Sequence, residues 1–132
     1  LKITADTNIL VRVTTLNDPA QASLAKTALG QAELIALPVL ALCEFVWVLT
    51  RAYKIPPPEI AATIRTLIGA GNVVTNRPAV EAGLAMLDAG GDFADGVVAY
   101  EGAWLGGEIF LSFDKIAVEK LQMKGFSARL LA

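Results

Sequence analysis

Residues 1–15 read LKITADTNILVRVTT, and the order of residue types in them decides the fold class. Lys2–Ala5 is a short, apolar-leaning strand that runs into Asp6, and Thr7–Thr14 continues as a helix. The same order returns near the other end in EIFLSFDK, residues 108–115. There the strand Glu108–Phe113 runs into Asp114, and Lys115–Met123 follows as a helix. The stretch between them alternates in the same way. Asp18 caps a helix over Pro19–Ala32, with proline in the first turn where its missing N–H costs nothing. Glu33–Leu37 is a strand, and Pro38 opens a helix to about Tyr53. Pro56–Pro58 opens another, Glu59–Ile68, which Gly69 and Gly71 close. Asn72–Thr75 is a β-branched strand. Helices follow over Arg77–Asp88 and Asp92–Leu105, separated by Gly90–Gly91 and ended by Gly106–Gly107. Gly125 stops the helix from Lys115, and Ser127–Leu131 is a last strand. Short apolar strands without polar alternation are expected where both sheet faces are covered. The pattern predicts a single α/β domain over residues 1–132, with a mostly parallel, doubly wound sheet of about five strands and helices on both faces. Ligands of such sheets bind beyond the carboxyl ends of the strands. Asp6 and Asp114 both stand there.

Composition narrows the chemistry. The 132 residues contain no histidine and one cysteine, Cys43. That excludes a Ser–His–Asp triad, a Cys–His pair, histidine-ligated zinc, zinc fingers and an internal disulfide. What remains is carboxylates, hydroxyls, Lys and Arg, and any hard metal ion that they hold. Eleven basic against thirteen acidic residues give a net charge of −2, which excludes a globally basic nucleic-acid glove but not a local basic rim. Hydrophobic residues make up 55% and mean hydropathy is +0.55, so a membrane span has to be tested for. The longest apolar run, Leu34–Cys43, has ten residues and contains Pro38. A spanning helix needs roughly 20 apolar residues, so none is expected. No basic start followed by an apolar stretch and a cleavage site is present, and a cytoplasmic location is expected.

The carboxylates are not spread like a solvated face. Asp6 and Asp114 can each cap the helix that follows, and capping and a functional role are compatible. Glu44 is the single charge in PVLALCEFVWVLT, residues 38–50. A lone carboxylate on an apolar helix is costly to bury unless it is paired or metal-bound. Arg51 shares its helical face, but nearly two turns separate them, about 10 Å along the axis, which is long for an ion pair. Asp92-Phe-Ala-Asp95 opens a helix after two glycines and reads as a variant capping box, with Asp92 a natural cap and Asp95 one turn in. Four carboxylates can thus converge on one sheet edge, with Lys115 the one basic neighbour in sequence. Crowded carboxylates repel unless a cation joins them, and oxygen-only ligands suit Mg²⁺ or Mn²⁺. The glycine pairs are helix punctuation, since no GxGxxG and no P-loop is present. Trp47 and Trp104 fit core or interface better than base stacking. Arg12, Arg51, Lys54 and Lys115 could touch phosphate, although solvation is the usual fate of such residues.

Taken together, ADTNIL (residues 5–10), LCEFVWVL (42–49), GGDFADGVVA (90–99) and LSFDK (111–115) resemble the PIN (PilT N-terminus) domain, in particular the VapC-type toxins of bacterial toxin–antitoxin pairs. The resemblance runs from Lys2 to Leu131. It implies a sheet of order 3-2-1-4-5, in which the first and fourth strands are neighbours, and a divalent-metal-dependent endoribonuclease. By position, Asp6, Glu44, Asp95 and Asp114 match the four catalytic acids. Asp6 and Asp95 match the metal ligands, with Glu44 and Asp114 as further candidate ligands. Asp92 matches an accessory acid, Asn8 the polar residue that orients the first aspartate, and Ser112 the small hydroxyl residue before the last acid. The implied cofactor is Mg²⁺ or Mn²⁺. The implied partners are an RNA substrate, a small cognate antitoxin and a second copy in a homodimer. Water as nucleophile would leave a 5′-phosphate and a 3′-hydroxyl, which explains how such an enzyme works without histidine.

Two other readings compete. A phosphoacceptor signalling domain also carries aspartates at strand ends and binds Mg²⁺. It needs paired acids after its first strand and an acceptor aspartate after its third, whereas here Asp6 stands alone and Val73–Thr75 leads into Asn76 and Arg77. A non-catalytic interaction module on the same fold would fit the high apolar content, but it leaves the complete acid set without a purpose.

Overall fold

The computed structural model describes residues 1–132, which divide into two compact units, Leu1–Asn76 and Arg77–Ala132. In the first unit the elements run β1 (Lys2–Thr4), α1 (Thr7–Thr15), α2 (Pro19–Gln31), β2 (Leu34–Ala36), α3 (Val39–Arg51), α4 (Pro57–Gly69) and β3 (Val73–Val74). Parallel pairing gives the order β1-β2-β3, with Ile3 opposite Ile35 and Ile35 opposite Val73. The helix boundaries follow local chemistry. Asp6 caps α1, and the Asp18 carboxylate accepts the Gln21 N–H at 3.1 Å to cap α2. Pro38 and Pro56 stand at the entries to α3 and α4, where a fixed φ suits the first turn. Leu16 ends α1 in the left-handed conformation, with φ 59°. The core is built chiefly from helices: Leu10, Leu42, Phe45, Leu49, Ile60 and Ile64 are all buried.

The second unit contains α5 (Arg77–Asp88), α6 (Phe93–Trp104), β4 (Phe110–Ser112), α7 (Lys115–Met123) and β5 (Ala128–Leu130). β4 and β5 pair in parallel, Leu111 opposite Arg129. Helices α5 and α6 meet through glycine. A Cβ on Gly83 would lie 2.6 Å from the Phe93 ring, and a Cβ on Gly96 would run into the Ala82 carbonyl. Neither site has room for a side chain, so the two glycines let the backbones approach. Met86, Ala99 and Leu121 form a buried cluster against which Phe110, Phe126 and Ala128 pack.

Element order and type agree with the sequence pattern, but the sheet differs. The expected single sheet of order 3-2-1-4-5 is instead a three-stranded and a two-stranded parallel sheet, each with the expected internal order. No strand exceeds three residues, so each edge offers few backbone groups for pairing. The expectation that both sheet faces are covered also needs correction. Among strand residues only Ile35 is buried, while Thr4, Val74, Leu111 and Leu130 are exposed. Strands this short put one or two side chains on a face, and the helices carry the apolar burial instead. No helix is long and apolar enough to cross a membrane.

Candidate active site

In the first unit the chemistry gathers around Thr7. The strand β1 delivers Asp6 to the start of α1, and the Asp6 carboxylate accepts the Thr7 N–H at 2.8 Å. Asp6 is itself exposed, as a cap at a helix entry should be. Thr7 is the one buried polar residue of the chain, 9% exposed. Its hydroxyl lies 3.1 Å from Glu44 Oε2 and 3.2 Å from the Ala41 carbonyl, both on α3. Asp6, Thr7 and Glu44 line a cleft of about 280 Å³ with Thr4, Ala5 and Pro38.

Glu44 departs from the sequence expectation. It is exposed rather than buried. The buried face of α3 carries Ala41, Leu42, Phe45, Val46 and Leu49. The outer face carries Leu40 (70% exposed), Glu44, Trp47 (61% exposed) and Arg51. Desolvation therefore does not constrain this carboxylate; the Thr7 hydroxyl does. An ion pair with Arg51 is absent, because the guanidinium lies over the Trp47 ring one turn away, 5.8 Å from its centroid. Asn8 lines a groove between α1 and α2 with Ile9, Arg12 and Gln21, and the amide that Asp6 accepts is that of Thr7.

In the second unit Asp92 and Asp114 both act on Asp95. Asp92 caps α6, accepting the Ala94 N–H at 2.8 Å. Asp114 caps α7, accepting the Ala117 N–H at 3.0 Å, while its own N–H donates to Ser112 Oγ at 2.9 Å. Ser112 thus shapes the turn that carries Asp114. Asp95 lies in the first turn of α6, half-buried, beside the close crossing at Gly96. Its carboxyl is pushed above the ordinary value of 3.8, first by burial and then by the negative charges of Asp92 and Asp114. The cation tied to this region is Lys120 rather than Lys115. Lys120 Nζ donates to the Ala89 carbonyl at 2.8 Å, and its stem passes Gly91, where a Cβ would lie 2.9 Å from it. The lysine fastens α7 to the loop that leads into Asp92.

Sequence reasoning missed Thr7 and Lys120. A threonine placed directly after a strand-end aspartate carried the first signal. The second was two consecutive glycines, which leave room for a long side chain to pass.

The donors suit a hard divalent cation in kind. They are carboxylates, and a cation would offset the burial and the neighbouring charges that raise Asp95. No three of them stand close enough to enclose an ion by themselves. A bound ion would complete its shell with water, as Mg²⁺ usually does when one or two carboxylates hold it.

The PIN domain family matches residues 3–119, a span that contains Asp6, Glu44, Asp92, Asp95 and Asp114. A search of curated proteins finds no match.

Proposed function

The chain belongs to the PIN domain family, whose members are typically nucleases that use divalent metals, and from that premise we propose that it is a metal-dependent endoribonuclease serving as the toxin of a type II toxin–antitoxin pair. The observation that carries the reading is the acid set. Asp6 and Glu44 are linked through Thr7, and Asp95 is under the charge of Asp92 and Asp114. The burial and like charge around Asp95 cost stability unless a cation or a proton offsets them.

In this reading Asp6 and Asp95 are metal ligands, with Glu44 and Asp114 as further candidate ligands. A bound Mg²⁺ or Mn²⁺ supplies charge neutralisation for the phosphodiester and activation of water. The chain's own residues do the rest. Asp6 and Asp114 are held by the helix amides they cap, so each keeps one oxygen fixed by the fold and the other available. That preorganisation spares reorganisation when charge develops in the transition state. Asp95, whose burial and acidic neighbours favour its protonated form in the metal-free chain, would exchange that proton for the ion.

The proposed partners are a small antitoxin and a second copy of the chain. Support comes from large apolar side chains left exposed, among them Leu40 and Trp47 on α3 and Trp104 and Leu105 at the end of α6. Light scattering at micromolar concentration should give a dimer mass, and a monomer at the highest soluble concentration would defeat that part.

End-labelled RNA tests the activity. The protein with Mg²⁺ or Mn²⁺ should cut internally and leave 5′-phosphate ends, and EDTA should stop it. Cleavage that continues in EDTA, or 2′,3′-cyclic phosphate products, would defeat the mechanism. Absence of cutting on every RNA offered, with the apolar surface still capturing an antitoxin-like partner, would favour the non-catalytic module.

A further inference from the structure

Thr7 touches two acids of the first unit, Asp6 and Glu44, and the family resemblance assigns it no part. Its backbone N–H donates to Asp6 and its side-chain hydroxyl reaches Glu44. A hydroxyl has one proton to donate and here meets two acceptors. The Ala41 carbonyl lies one turn before Phe45 within α3, so it has the helix's own amide as a partner. The Glu44 carboxylate has no such partner, and as a charged acceptor it draws the proton more strongly. Thr7 is also suited to fix what it touches. It is buried, it stands at the first position of α1, and its β-branched side chain is stiff at χ1. Glu44 by contrast is long and exposed, and would otherwise sample several rotamers.

We propose that Thr7 is a positioning residue, its hydroxyl fixing the Glu44 carboxylate to the same residue whose amide fixes Asp6. The geometry stands by itself, and only its catalytic consequence rests on the ribonuclease reading. Thr7→Val keeps the shape and removes the hydroxyl, Thr7→Ser keeps the hydroxyl, and Thr7→Ala serves if valine crowds the site. Thermal melts establish that each variant is folded. NMR scalar couplings then report the Glu44 χ1 and χ2 angles without any need for RNA. A single Glu44 rotamer is expected in the wild type and Thr7→Ser, and an averaged one in Thr7→Val. With RNA, kcat should fall roughly tenfold in Thr7→Val at an unchanged KM. That loss should be restored by serine and should vanish in a Glu44→Gln background. A Glu44 side chain that stays in one rotamer without the hydroxyl overturns the proposal whatever the RNA assay shows. So does an unchanged kcat in Thr7→Val when the wild type is active. If Glu44 loses its rotamer but the wild type cuts no RNA, positioning stands and the ribonuclease reading falls.

Discussion

The two units hold the same residue type in opposite ways. Around Thr7 the acids are exposed and each has a donor from one residue, the backbone N–H for Asp6 and the hydroxyl for Glu44. Around Asp95 the acid is half-buried and faces two like charges. The first arrangement fixes carboxylates in place at little electrostatic cost. The second stores repulsion that a proton or a cation can relieve. Acids held by donors set geometry, whereas acids under like charge set affinity for something positive.

The largest expected effect removes charge from either arrangement without disturbing its caps. Asparagine caps a helix as well as aspartate does. Asp6→Asn and Asp114→Asn should therefore fold normally, yet each should lower RNA cleavage by about 100-fold or more, several kcal/mol of lost transition-state stabilisation. Melting curves and single-turnover rates check both halves of that statement. A variant that melts like the wild type and cuts at a comparable rate would break the parallel between the units.

Next in size is a packing effect confined to the second unit. Gly96 adjoins Asp95, and a methyl group there meets the Ala82 carbonyl, which is backbone and cannot swing away. Gly96→Ala should destabilise by about 1–3 kcal/mol through overpacking. Chemical denaturation measures it. A neutral result would mean that α5 and α6 separate easily and that the site of Asp95 is softer than its burial implies.

A smaller effect separates the units by pH. The folded state raises the proton affinity of Asp95, so folding takes up protons and ionised Asp95 opposes it. The sign is definite: the associated stability is present below the ordinary value of 3.8 and is lost as pH rises through the raised value. Asp95→Asn removes the penalty. In metal-free buffer it should melt higher than the wild type at neutral pH, with the gap closing as pH falls below that ordinary value. Millimolar Mg²⁺ or Mn²⁺ should raise the melting temperature of the wild type and leave that of Asp95→Asn unchanged.

The smallest stability effect is expected at Glu44. Its carboxylate is exposed and has no ion pair with Arg51, and a glutamine oxygen can still accept from the Thr7 hydroxyl. Glu44→Gln should shift metal-free stability by less than about 0.5 kcal/mol while cleavage falls. Strong destabilisation would restore the view of Glu44 as half of a structural pair.

Much of this was legible in the sequence, for reasons that differ by element. Helix ends were readable because capping is local: Asp6, Asp18, Asp92 and Asp114 each cap the helix that their position suggests. Strand extents were less so. Glu108–Phe113 shortens to Phe110–Ser112, since pairing needs a partner strand and not only an apolar run. The sheet join was not legible either, because hydrogen bonding between β1 and β4 is a matter of tertiary register. The environment of Glu44 was misread through its apolar neighbours. Ala41, Phe45 and Val46 are indeed buried, but a helix has two faces, and Glu44 lies on the one that Leu40 and Trp47 leave in water. The link through Thr7 joins residues 37 apart in sequence on two different helices, which no local pattern encodes.

The proposed ribonuclease reading requires acids from each unit for metal-dependent cleavage. The most direct measurement is the RNA cleavage rate against Mn²⁺ concentration for the wild type, for Asp6→Asn from the first unit and for Asp95→Asn from the second. A saturating rise with Mn²⁺ is expected in the wild type, and a flat, near-background rate in each variant. A wild-type rate that does not depend on Mn²⁺, or either single variant following the wild-type curve, would contradict that reading.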